Sequence, residues 1–183
     1  MSVLRRYQIN PLHDLERWIG RGETAEDVDS PVPLAGLAAL LDRDGPPSRE
    51  GALPPLAHWL YFLGHARQSD IDIDGHPRRG GFLPPIALPR RMWAGSRIEV
   101  RGAIAVGAGM TRRSTIADIR TKQGASVAMI FVTVKHEIAV AGQVAIAEEQ
   151  DIVFRDAPGS SPPPPKADPR TASNVRKVHP DPT

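Results

Sequence analysis

The sequence predicts an α+β domain in which a curved antiparallel sheet wraps one strong helix. Three observations carry this. The run from Leu56 to about Arg67, opened by Pro54-Pro55, is apolar nearly all round, and a helix without a polar face is buried by several partners. From Pro89 to Phe154 the pattern changes to alternation and β-branched runs punctuated by tight-turn residues. The helix precedes the strands instead of alternating with them, so a parallel βαβ arrangement is excluded. With 183 residues the chain suits one domain, assigned to residues 1–156, followed by a Pro-rich linker or tail at 157–183.

Taken in order, Leu12, Leu15, Trp18 and Ile19 fall at helical spacing and predict a short amphipathic helix ahead of Gly20 and Gly22. Glu23 to Asp29 is an acidic stretch with no element assigned. Ser30 followed by Pro31 is an N-cap and first-turn signal, which predicts a helix over Pro31 to Leu41. Residues 42–51 read as a loop. Glycines and prolines between Arg67 and Leu88 exclude a long regular element. Ile98, Val100, Ile104 and Val106 share one parity, with Arg97, Glu99 and Arg101 on the other, as in a half-buried strand. Gly107 to Gly109 is a turn, Met110 to Thr121 a second strand and residues 122–124 its turn. Ser126 to Ala139 is apolar through its middle, as expected of a central strand. Ala141-Gly142 turns the chain into Gln143 to Phe154. The expectation is a four-stranded meander. The tail, rich in proline and serine, has little to bury and reads as extended and disordered.

Composition excludes several function classes. There is no cysteine, which removes disulfides, a thiolate nucleophile and zinc-finger sites. Lys plus Arg outnumber Asp plus Glu by 23 to 21, too near balance for a polyanion binder, and the aromatic residues sit among apolar ones. No nucleic-acid or membrane partner is expected: no run of about 18 apolar residues exists and the N-terminus lacks a signal-peptide core, so a cytoplasmic location is the default. Asp70, Asp72 and Asp74 begin like a calcium loop, but the twelfth position falls on Gly81, and a solvated acidic bend is the expectation. Gly107-Ala-Gly109 is not a dinucleotide fingerprint because no helix follows it. Serine-nucleophile, P-loop and zinc-protease patterns are missing from the chain.

The candidate site falls between Leu53 and Arg97. Trp59, Tyr61, Phe62, Phe82 and Trp93, more than half of the aromatic residues, lie there beside a Gly/Pro-fixed loop containing Gly81. Large apolar side chains line pockets and such loops hold their rims. His58 reads either as a core histidine bonded to a carbonyl or as a polar group in an apolar tunnel, where burial would tune its protonation. Arg90-Arg91 reads either as surface solvation or as a guanidinium fork for phosphate, and the arginine pairs at 78–79 and 112–113 are likewise candidates for discrete phosphate or carboxylate contacts.

The segments L-P-P-L-A-H-W-L-Y-F-L (53–63), D-G-H-P-R-R-G-G-F-L-P-P (74–85), L-P-R-R-M-W-A-G (88–95), R-S-T-I (113–116) and E-E-Q-D-I-V-F-R-D (148–156) together resemble one family. It is the N-terminal hotdog half of double-hotdog acyl-CoA hydratases of the MaoC-like and fatty-acid dehydratase type, particularly the mesaconyl-CoA, 3-methylfumaryl-CoA and itaconyl-CoA hydratases. The resemblance runs in order through nearly all of residues 10–156, with one departure at Val127, where the family carries glycine. It implies a single hotdog fold and an acyl-CoA thioester ligand, with no cofactor beyond the CoA of the substrate. In the family an Asp or Asn and a following His, which activate water and move the proton, lie in the second hotdog beyond a linker. The implication is that this chain carries no catalytic residue, with His58 and His76 as fallbacks, and works with a catalytic hotdog subunit. His58, Trp59, Tyr61, Phe62, Gly81, Phe82 and Trp93 would shape the acyl pocket, and Arg90 and Arg91 would contact CoA. The alternatives are a stand-alone acyl-thioester-binding dimer and a self-sufficient homodimeric hydratase or thioesterase.

Overall fold

The structure, a computed structural model, describes residues 12–45, 51–123, 128–156 and 173–174. The expected turn at Gly124, the strand start at Ser126 with Val127, and nearly all of the Pro-rich tail lie outside the described residues. Helix α1 spans Leu12–Glu16, strand β1 Gly22–Val28, helix α2 Pro31–Leu40, and the remaining strands are β2 (Arg90–Val100), β3 (Gly109–Gln123), β4 (Ala128–Val140) and β5 (Gln143–Arg155). They form one antiparallel sheet in the order β1-β3-β4-β5-β2. Among the described residues no helix is long and apolar enough to cross a membrane.

Where the local chemistry was plain, the expectation holds. Ser30 caps α2, its Oγ accepting from the Val32 backbone N–H at 3.3 Å, with Pro31 in the first turn. Val140 faces Gln143 in the register, so Ala141 and Gly142 form a two-residue hairpin turn in which both residues have positive φ (47° and 79°). That geometry matches the twist of the flanking strands and selects glycine at its second position.

Three expectations need correction. First, Leu56 to Arg67 is not a long helix: only Ala57–Leu60 forms a 3₁₀ turn, and the longest helix among the described residues is α2, with 10 residues. The apolar side chains here have different destinations. Ala57, His58 and Tyr61 are buried, whereas Trp59 and Leu63 are exposed. Non-local polar contacts hold the segment out of helical form, one of them through a backbone N–H. The Phe62 N–H donates to Asp27 Oδ2 at 2.6 Å, and Tyr61 Oη donates to the Ser30 carbonyl at 2.7 Å. Leu56 and Phe62 take left-handed backbone at either end (φ 69° and 56°), which an α-helix cannot contain. Second, β2 pairs with β5, not β3, so the meander is limited to β3-β4-β5. The β2 ladder stops at Val100 because the N–H groups of Arg101 and Gly102 both turn to the Ala145 carbonyl. Ile104 leaves the strand and enters the core, fixed by the Leu53 N–H on its carbonyl at 2.8 Å. Third, the acidic stretch contains β1. It is an edge strand, and charged side chains are how exposed edges avoid further pairing.

Register places the sheet's inner face. Ile130, Val132, Val134, His136 and Ile138 of β4 stand opposite Phe154, Ile152, Gln150, Glu148 and Ile146 of β5. Ser114 of β3 lies across from His136, and Ser96 of β2 from Gln150. The apolar residues of this face divide into two cores. One contains Leu15, Ile86, Leu88, Ile116, Ile130, Val132, Val134 and Phe154, and the other Tyr61, Ile104, Met110, Ile138 and Ile146. Between them runs a polar row. The outer face is charged, with ion pairs such as Arg97–Glu149, Arg97–Asp151 and Arg113–Glu137. Exposed pairs of this kind add little stability each.

Candidate functional site

The polar row and both cores open into a cleft of about 710 Å³, whose lining includes His58, Trp59, Tyr61, Phe62, Trp93, Arg112, His136, Glu148 and Ile152. That volume falls within the range of small-molecule sites. Every wall comes from a different part of the chain. The 3₁₀ turn at 57–60 brings His58 and Trp59, the following segment Tyr61 to Gly64, β2 Arg91 to Trp93, β3 Arg112, β4 His136, and β5 Glu148, Gln150 and Ile152.

Glu148 is the hub. Its Oε2 is 3.2 Å from His58 Nε2 and accepts from Trp59 Nε1 at 3.1 Å, and its Oε1 accepts from Ser96 Oγ at 2.7 Å. Trp93 Nε1 in turn donates to Ser96 Oγ at 3.0 Å. Burial alone would raise the Glu148 carboxyl, but the bonds from His58, Ser96 and Trp59 outweigh it and bring it down to about 2. At neutral pH the group is therefore an ionised, satisfied acceptor and a very weak base. The His58 side chain is almost completely buried, and its other ring nitrogen, Nδ1, is inaccessible and has no hydrogen-bond partner among the described residues. On the next strand His136 Nδ1 lies 2.8 Å from Ser114 Oγ. Burial, followed by the charge of Arg112, pushes the His136 imidazole below its ordinary value and keeps it neutral. Trp59 and Trp93 form the rim, both well exposed, edge to face with ring centroids 6.3 Å apart.

The structure gathers His58, Trp59, Tyr61, Phe62, Arg91 and Trp93 around one cleft, with the half-exposed His76 at its edge. His58 bonds to a carboxylate, not to the carbonyl expected of a core histidine. The others lie elsewhere. Phe82 packs against the first core, and Gly81 is exposed on the loop. Arg90 is exposed, at the β2 position next to Arg91 and so on the opposite side of the strand. Arg91 is committed to Asp74, 3.1 Å away, together with Arg79. Arg79 also donates to the carbonyls of Ile86, Leu88 and Pro89, so this cluster fastens the 74–89 loop to β2. Asp74 thus serves as a loop anchor, paired with two arginines and mostly covered instead of solvated as the acidic-bend reading expected.

Glu148, His136 and Ser96 were not singled out from the sequence, and Arg112 was named only as one half of an arginine pair. The signal was present as parity: Glu148 alternates in step with Ile146, Ile152 and Phe154, His136 with Val132, Val134 and Ile138, and Arg112 with Met110 and Ile116. A polar residue on the apolar parity of a strand is either buried with a partner or lines a cavity.

Comparison with known proteins agrees with this architecture. The chain is 43% identical over 172 residues to the mesaconyl-C(4)-CoA hydratase of Chloroflexus aurantiacus, a match covering 92% of this chain and 61% of that protein. The chain thus spans less than two thirds of that relative's length. Among solved structures, a chain of the ChsH1–ChsH2 complex of Mycobacterium tuberculosis superposes with a TM-score of 0.58 at 12% identity, covering 82% of this chain and 96% of that one. HtdX of the same organism gives 0.51 at 20% identity, covering 77% and 54%. At such identities the likeness speaks for the fold alone, which is the hotdog fold. Residues 56–183 match the family model described as hydroxyacyl-thioester dehydratase type 2, and the chain belongs to that family.

Proposed function

We infer that this chain is the non-catalytic, acyl-binding half of an enoyl-CoA hydratase or 3-hydroxyacyl-thioester dehydratase of the mesaconyl-CoA or 3-methylfumaryl-CoA type, working with a separate catalytic hotdog. Hydration of an enoyl thioester needs a base that takes a proton from water as oxygen adds to the β-carbon, and an acid that protonates the α-carbon. The observation that carries the reading is that the buried acid–base groups of the cleft are already committed. Glu148 is held at about 2 by its three donors, which makes it a poor base. His58 is bound to Glu148 through Nε2, and its Nδ1 is out of reach of a ligand. His136 is engaged by Ser114. What remains is an enclosing function. Tyr61, Phe62, Ile138 and Ile152 offer apolar surface to an acyl chain, and Trp59 and Trp93 shield its entrance. A wall of this kind excludes water and holds the reacting carbons in one position, which lowers the barrier for groups supplied from outside.

The test is turnover, followed by the loss of enoyl-thioester absorbance. The purified chain should leave mesaconyl-CoA and crotonyl-CoA unchanged and should support hydration once a catalytic hotdog subunit is added. The His58–Glu148 contact favours a second reading, a self-sufficient homodimeric hydratase or thioesterase with His58 as acid–base. Turnover by the chain alone that disappears in His58→Ala would establish that reading and overturn the first.

A further inference from the structure

Arg112 stands apart from the ion-paired arginines of the sheet. Its neighbour Arg113 points to the outer face and pairs with Glu137 at 3.3 Å. Arg112 stands on the inner face, in step with Ser114 on β3 and opposite Ile138 of β4, and lines the cleft. Its guanidinium carbon lies 4.9 Å from the centroid of the Phe62 ring, and its Nε is buried without a hydrogen-bond partner among the described residues. Among the described residues no carboxylate is in ion-pairing contact with it. Glu23, Glu148 and Asp27 act on it only through space, against a desolvation that lowers its pKa. Glu148, the ionised carboxylate of the cleft itself, is already taken by His58, Trp59 and Ser96.

A half-buried guanidinium is costly unless a carboxylate or phosphate meets it. Its planar fork fits the two oxygens of a carboxylate, and the Phe62 ring restricts its orientation while leaving the N–H edge open. The cleft lining near it includes Ile138, its partner across the β3–β4 ladder, the Phe62 ring and the neutral imidazole of His136. A plain acyl chain would leave the guanidinium unmet. We propose that Arg112 takes the free carboxylate at the far end of a dicarboxylic acyl thioester, so that this chain selects carboxylate-bearing acyl groups over hydrocarbon ones of equal length. The proposal rests on the acyl-binding reading above and adds the residue that sets the substrate class.

The test uses the intact chain and two CoA thioesters of equal acyl length, succinyl-CoA and butyryl-CoA, titrated calorimetrically. They differ in a terminal carboxylate against a methyl group. A charge-assisted bond in a partly desolvated site should favour succinyl-CoA by roughly tenfold or more. Arg112→Gln should abolish that preference by weakening succinyl-CoA alone and leave butyryl-CoA within about twofold. Arg112→Lys, which keeps the charge but not the fork, should retain a reduced preference. Equal binding of both thioesters by the unaltered chain overturns the proposal while leaving the acyl-binding reading in place. Equal weakening of both by Arg112→Gln also overturns it, because the guanidinium then reads the CoA phosphates. Should circular dichroism show Arg112→Gln unfolded, Arg112→Lys decides, and an undiminished preference in it counts against the carboxylate contact. Failure of both thioesters to bind removes the acyl-binding reading itself, and this proposal with it.

Discussion

Replacing Glu148 with glutamine keeps its volume and removes its charge, which makes it the most direct probe of the cleft. The carboxyl is almost fully buried and lies at about 2 instead of its ordinary 4.5. The depression from 4.5 to about 2, at about 1.4 kcal/mol for each tenfold change in the ionisation constant, is roughly 3–4 kcal/mol of stability linked to ionisation. The sign follows from the direction. A carboxyl depressed in the folded state stabilises the protein above its unfolded value near 4.5, and that contribution disappears as pH falls through the folded value near 2. Integrated over the two protonation equilibria, the contribution is roughly 3–4 kcal/mol at pH 7 and less than half of that at pH 3. Urea unfolding of both proteins at the two pH values measures it. The expected outcome is a Glu148→Gln deficit of about 2–3 kcal/mol at pH 7 that shrinks by half or more at pH 3. A deficit that is absent at pH 7, or that stays constant down to pH 3, would refute an ionised hub held by His58, Trp59 and Ser96. The indole groups give a second view: losing the charge should alter Trp59 fluorescence, because its Nε1–H donates to this carboxylate.

Other parts of the molecule carry their own expectations. Gly142→Val should lower stability by about 1–2 kcal/mol in chemical denaturation through backbone strain alone, since φ is 79° and no atom lies within 4 Å of the added Cβ. Arg79→Lys should cost about 3 kcal/mol and loosen residues 74–89 in hydrogen exchange, because lysine cannot serve the carbonyls of Ile86, Leu88 and Pro89 while also reaching Asp74. The His136 imidazole should titrate by NMR below its ordinary 6.5, and higher in Arg112→Gln than in the unaltered chain, with burial still holding it down. Because its folded value is depressed, His136 favours unfolding as pH falls through 6.5, which adds to the acid sensitivity contributed by Glu148.

Elements specified by their immediate neighbours were legible in the sequence. Ser30-Pro31 announced α2, and Ala141-Gly142 with the flanking β-branched runs announced the β4–β5 hairpin. What could not be read was specified at a distance. The segment after Pro55 has helical composition, but the carboxylate of Asp27 and the carbonyl of Ser30, some thirty residues earlier, capture Phe62 and Tyr61 and unwind it. The same holds for β2, whose partner is chosen by the way Arg101 and Gly102 turn towards Ala145 and not by any pattern in the strand. β1 was hidden for another reason. An edge strand rich in Glu and Asp has the composition of a loop, and the register with β3 alone gives it away. At the site, the aromatic walls were visible because they cluster between Leu53 and Arg97, whereas the polar row was not, because its members come from β2, β3, β4 and β5.

That polar row bears on whether the cleft exists for a ligand. A sheet face built only for stability would continue its apolar parity from Val134 to Ile138 and from Ile146 to Ile152 without interruption, since buried ionic groups are commonly no more stabilising than apolar ones of equal volume. Here His136, Glu148, Gln150, Ser114 and Ser96 interrupt it on adjacent strands and divide one core into two. The interruption also brings two tryptophans to the surface, each oriented by a hydrogen bond from its indole nitrogen into the row. Trp59 and Trp93 would bury more area if they lay in either core, so their exposure runs against stability and their fixed orientation does not arise from packing. A division of the core, a fixed aromatic rim and a guanidinium at Arg112 with no carboxylate partner among the described residues share one explanation: the row holds open a cavity between two cores.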